Sequence, residues 1–210
     1  MPAILRILLL ILFILLILAL GKSRSAEVPS PMAKVKETLE KLKQTVSDPS
    51  LKGDSKKETR HARIRELLLE RMDFAEMGKR ALGASWRKIS DSEKAEYLEL
   101  FAKLVEVQNR RNVFERVEFI ESAKIIFLKE IVEPNGEFAS VDLKIPSSPE
   151  DLSVVFKLHL VSGHWKAYDI VIDGISMVSS WRSQFNRILS KKSFADLLEQ
   201  LREKIKELDK

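Results

Sequence analysis

The sequence predicts an α+β domain, with helices at both ends of the chain packed on a four-stranded antiparallel sheet. Three observations predict it. Before Ile120 apolar residues recur every three or four positions, from Ile120 they alternate, and after Asp173-Gly174 the helical spacing returns. The alternating region is broken at Pro134-Asn135-Gly136 and Ser162-Gly163, both hairpin turn sequences, so consecutive strands run antiparallel. With 210 residues and 45% hydrophobic content the chain can fill one ordinary core. A single domain over residues 26–210 is expected behind a leader of residues 1–25.

The leader is read from an unbroken apolar run, residues 7–20, behind Arg6. That run has the length of a signal-peptide core and is short for a membrane-spanning helix, which needs about 20 residues. Small residues at Ser23 and Ser25 allow cleavage there, while cutting after Ala26 sets Arg24 at an awkward position. An uncleaved anchor over residues 3–20, with Arg6 snorkelling, is the alternative. In either case the rest of the chain faces the extracytoplasmic side. The chain has no cysteine, which excludes a lipoprotein anchor, a disulfide framework, a thiol nucleophile and a Cys-ligated metal.

A Pro/Ser linker, residues 29–31, precedes a stripe of Met32, Val35, Leu39, Leu42 and Val46, which defines the first helix; Asp48-Pro49 ends it. A second, highly charged helix covers residues 56–72 with Ile64, Leu67 and Leu68 as its contact face. Asp73 is a good N-cap for a third helix through Leu82, and Gly83 a good stop. Ser90 and Glu93 have capping-box spacing and open a long helix carrying Ala95, Leu98, Phe101, Ala102, Val105 and Phe114. Strands are expected at residues 122–132, 137–145, 152–161 and 165–172. Ser176 and Ser193 cap closing helices at 177–190 and 194–208. The chain carries no internal repeat.

The formal net charge is +5, and residues 1–25 supply three of those charges through Arg6, Lys22 and Arg24 without an acid. The remaining charges alternate in sign along nearly every helix, which argues against a nucleic-acid-binding face. His61, His159 and His164 do not pair with a second metal ligand at helical spacing. Asp169 and Asp173 flank the strand-to-helix corner, where carboxylates commonly cap backbone N–H groups. Read instead as catalytic, one of them is the base of a small isomerase, although no acid/base partner is visible. Arg182 interrupts the apolar stripe Ile175, Val178, Phe185 and Leu189, so its guanidinium must be paired, snorkelled or turned to a ligand phosphate. Trp86, Trp165 and Trp181 read as packing anchors.

Alternation gathers Ile125 with Phe127, Val141 with Leu143 and Ile145, and Val154 with Phe156, Leu158 and Leu160, each set on one face of its strand. Periodicity does not separate a filled core from a hollow one.

The run D-I-V-I-D-G-I-S-M-V-S-S-W-R-S-Q-F, residues 169–185, closely resembles the signature of the periplasmic phospholipid-binding component of the Mla (maintenance of lipid asymmetry) pathway, the toluene-tolerance family. M-D-F-A-E-M-G-K-R-A-L-G-A-S-W-R-K-I-S, residues 72–90, resembles that family's other characteristic segment. The resemblance extends from about residue 32 to the C-terminus. It implies a fold of the nuclear-transport-factor-two-like kind enclosing an apolar cavity, in a periplasmic, non-catalytic shuttle without a cofactor or metal. The ligand it implies is a diacyl phospholipid, and the partners are an outer-membrane lipoprotein complex and an inner-membrane ABC transporter complex, with no nucleic acid. The expected pocket draws Phe127, Val141, Leu143, Phe156, Leu158 and Val171 from the sheet, and Phe101, Leu104, Ile175, Val178 and Phe185 from the helices. Arg182 is the expected headgroup contact. The alternatives are a small isomerase-like enzyme of the same fold, an interaction module with a solid core, and a carrier of hopanoid or another lipid.

Overall fold

Residues 28–209 are described by the computed structural model, those at 109–118 by their backbone alone. Both readings of the leader fall outside them. In chain order come helices α1 (Pro31–Ser47), α2 (Lys57–Glu70), α3 (Phe74–Leu82) and α4 (Asp91–Val117). Strands β1 (Ile126–Val132), β2 (Phe138–Ile145), β3 (Leu152–Val161), β4 (His164–Ile172) and β5 (Ile175–Ser176) follow, and then α5 (Met177–Leu189) and α6 (Phe194–Leu208). Helix starts fall where side chains satisfy the first N–H groups, through Ser30 on α1, Asp73 on α3, Ser176 on α5 and Ser193 on α6. Ser90 and Glu93 cap α4 reciprocally, each side chain bonding the other residue's backbone N–H.

The strands form one antiparallel sheet in the order β1-β2-β3-β4-β5. The sheet therefore has five strands and not the expected four. Asp173 and Gly174 both adopt positive φ, 47° and 79°, which is the two-residue turn that folds a hairpin back tightly. The chain thus pairs Ile175 with Ile172 and Ser176 with Val171 before α5 begins. A strand this short leaves no periodic trace in the sequence. Further along the same edge of β4, Met72 forms a parallel bridge to Ala167.

Two bulges decide which residues share a face. Lys157 opposes Asp169 while Leu158 opposes Ala167, so Tyr168 is an extra residue in β4. A similar shift in β1 lies between Phe127 and Lys129. One face of the sheet carries Ala139, Val141 and Leu143 opposite Leu158, Phe156 and Val154, with Ala167 and Ile170 beyond them on β4. α1 lies on that face through Met32, Val35 and Leu39. The opposite face presents Phe138, His159, Tyr168 and Asp169 to the α3, α5 side of the molecule. There Met77, Leu82, Tyr97, Phe101, Phe185 and Leu197 form a helical core drawn from α3, α4, α5 and α6. A third, smaller cluster joins Leu42 and Val46 of α1 to Ile64 of α2.

Candidate functional site

The two signature segments meet in space. The Asp73 N–H donates to the Ala167 carbonyl at 2.8 Å, and the Ala167 N–H donates to the Arg71 carbonyl at 2.7 Å, which ties the start of α3 to β4. Arg182 of α5 donates from Nε to the Arg80 carbonyl at the end of α3, 2.8 Å away. Its side chain crosses Gly83, where a Cβ would lie 3.5 Å from Arg182 Cδ. The arginine on the apolar stripe is therefore held by protein at a helix C-terminus, where cations are favoured.

Carboxylates fix the corner. Asp169, 3% exposed, accepts from the Ser176 hydroxyl at 2.6 Å and from the Val178 N–H at 3.0 Å, so a strand residue caps the helix two elements later. Asp173 accepts from the Ser153 N–H at 2.9 Å and returns its own N–H to the Ser153 carbonyl. Both are engaged in backbone capping. Asp73 divides its oxygens, one accepting from the Glu76 N–H at 3.0 Å and the other lying 2.7 Å from His159 Nδ1. His159 stacks on Phe138 with ring centroids 4.6 Å apart, and the Arg80 guanidinium covers Phe138 and Tyr168 at 4.8 and 4.2 Å. Arg80 also bonds Glu76 at 2.7 Å. Sequence spacing identified Asp73 as a cap but not its partner, which lies 86 residues away on another element.

On the helical side, Tyr97 donates its hydroxyl to the Gly78 carbonyl at 3.0 Å, and burial pushes that hydroxyl's pKa well above the ordinary phenol range. Gly78 sits where a Cβ would be crowded, coming within 2.8 Å of Leu98 Cδ2.

The eleven residues expected to line one pocket do not come together. Phe101, Leu104, Val178 and Phe185 are buried in the helical core. Phe127, Val141, Leu143, Phe156 and Leu158 gather under α1 on the apolar sheet face. Val171 is on the opposite face, because the bulge at Tyr168 reverses the alternation after Ala167 and brings Ile170 to the apolar side instead. Ile175 lies in β5, 69% exposed, and not on the helix stripe.

The apolar sheet face is only part covered. Val141, Leu143, Val154 and Leu158 are buried, yet Phe127, Ile145, Leu152, Phe156 and Ile170 on the same face are half-buried and Ile172 at its end is 36% exposed. The Lys36 ammonium stands 4.9 Å over the Phe127 ring at one margin. Among the described residues, acidic and His side chains nowhere gather in a group of three that would hold a metal ion, and no helix is long and apolar enough to cross a membrane.

The domain is thus of the α+β class, with a part-covered apolar sheet face beside a buried helical core. The model of the MlaC protein family matches residues 36–203, and the chain belongs to that family. Among solved structures it is similar to a phospholipid-binding protein from Ralstonia solanacearum, determined in complex with a phospholipid. The two share 18% identity at a TM-score of 0.69, over 87% of this chain and 100% of that one, a likeness that establishes the fold. Among curated proteins none matches.

Proposed function

We propose that the protein is a periplasmic carrier that holds the tails of a diacyl phospholipid against the apolar face of its sheet, without catalysis or a cofactor. In this reading it exchanges lipid with an outer-membrane lipoprotein complex and an inner-membrane ABC transporter complex. The observation that carries it is the half-covered face, where Phe127, Ile145, Phe156 and Ile170 keep apolar surface in reach of a ligand although α1 already lies over the sheet. Membership of the MlaC family and the phospholipid held by the Ralstonia protein support the same ligand. Phe127, Val141, Leu143, Phe156 and Leu158, with Ile170, form the cradle in a nuclear-transport-factor-two-like cavity; Phe101, Leu104, Val178 and Phe185 form the scaffold behind it.

The energetics suit a shuttle. Each buried methylene is worth roughly 0.8 kcal/mol, so two acyl chains cost tens of kcal/mol to expose to water. A bilayer and an apolar cradle shelter them about equally, and the exchange is near balance. Direction is then set by the partners.

Native mass spectrometry of gently purified protein tests the reading. Bound species of diacyl phospholipid mass are expected, and a lipid-free protein purified from lipid-containing cells overturns the carrier. Phe156→Asp places a charge on the cradle at a half-buried position and is expected to abolish lipid retention with the circular dichroism spectrum unchanged. Wild-type lipid content in that variant moves the cradle elsewhere.

A further inference from the structure

Resting on the carrier reading, we infer that Arg71 receives the phosphate of the bound lipid at the edge of the sheet where α2 meets β4. Arg71 ends α2, donating its own N–H to the Leu68 and Leu69 carbonyls. Its carbonyl accepts from Ala167, a buried residue of the apolar face, and the next residue, Met72, packs against both the sheet core and the helical core. The side chain is 19% exposed. Its Nε is buried, and no atom of the described residues accepts a hydrogen bond from it.

Among the described residues the nearest carboxylate is that of Glu70, 3.8 Å from Nη2 and 64% exposed, too distant for a hydrogen bond and mostly in water. The C-terminal end of a helix favours a cation, which accounts for the charge but provides no acceptor for Nε. A guanidinium largely withdrawn from water with an unmatched donor calls for an acceptor, and its planar fork of donors fits phosphate oxygens. Two arginines of the neighbouring signature segments, Arg80 and Arg182, are already served. Arg80 bonds Glu76 and lies over two rings, and Arg182 bonds the Arg80 carbonyl on the helical side. Arg65 also has a buried Nε without an acceptor but holds other contacts.

A pair of ligands with identical tails isolates the phosphate. Delipidated protein is titrated with dioleoylphosphatidylglycerol and with dioleoylglycerol, which lacks the phosphate. The wild type is expected to bind the phospholipid about tenfold more tightly, the size of one charge-assisted hydrogen bond. R71M is expected to lose that preference while binding dioleoylglycerol as the wild type does, and R71Q gives the same comparison should R71M fail to fold. An unchanged preference in the variant that folds, or none in the wild type, overturns the role of Arg71. Binding of neither ligand by the wild type overturns the carrier reading itself. Inorganic phosphate at millimolar concentration is expected not to bind saturably, and saturable, Arg71-dependent binding of it overturns assignment to a lipid headgroup.

Discussion

The helical core and the apolar sheet face treat their apolar side chains differently. In the first, Tyr97, Phe101 and Phe185 are at most 2% exposed and lock ring against ring at 5.7 to 6.2 Å, with Trp181 closing over Phe101 at 5.9 Å. In the second, apolar side chains line a pleated surface that α1 covers through three residues, and Phe156 and Ile170 keep a part of themselves outside. Aromatic interdigitation within a core drawn from four helices gives a rigid, unique packing. A single helix leaves part of the sheet face uncovered, and on the proposed carrier reading that surface is what a tail occupies. One side of the sheet is scaffold and the other, on that proposed reading, is workplace.

The difference is broken most severely by a cavity on the scaffold side. Phe101→Ala is expected to cost about 3–5 kcal/mol in a urea titration, because the helices flanking Phe101 cannot collapse to fill the space. Gly78→Ala follows, at about 1–3 kcal/mol, since its Cβ meets Leu98 at 2.8 Å, Phe101 at 3.2 Å and Tyr97 at 3.3 Å. Phe156→Ala on the sheet face is expected to cost about 1 kcal/mol, as the side chain is half-buried, while bound lipid falls. A loss as large as that of Phe101→Ala would mean that the sheet face is as solid as the helical core. The smallest effect belongs to α1, the cover of the cradle. Hydrogen bonds from Lys34 and then Lys41 hold the Glu37 carboxyl down to about 2 from 4.5. Its folded-state pKa is depressed, so the stabilisation is full above about 4.5 and disappears as pH falls towards 2. Glu37 is 42% exposed and screened, so Glu37→Gln is expected to cost about 0.3 kcal/mol near neutral pH, less in high salt and nothing at the acid end.

Much of this architecture is legible in the chain. Apolar spacing and capping residues locate all six helices, and Asp73, Ser90, Ser176 and Ser193 cap as their positions suggest. Alternation finds β1 to β4 because each has one face under cover. It misses β5, which is too short to alternate. The placing of the candidate side chains is less legible, since assigning side chains to a face assumes an unbroken period of two. The extra residue Tyr168 violates that assumption, and so Val171 was expected where Ile170 lies. Nor does spacing show that Arg182 finds Arg80, 102 residues away, or that Phe101 and Phe156 belong to different cores.

Arg71, Met72 and Asp73 belong to no helix or full strand, and each faces a different way. One offers its carbonyl to β4, the next packs into both cores, and the third caps α3 and contacts His159. Adding or deleting a single residue here would misalign all of these at once, whereas the same change in the exposed 146–151 connection disturbs little beyond its own turn. The stretch least tolerant of a change in length is thus a three-residue seam, and indels should be purged from it more strictly than from the helices it joins.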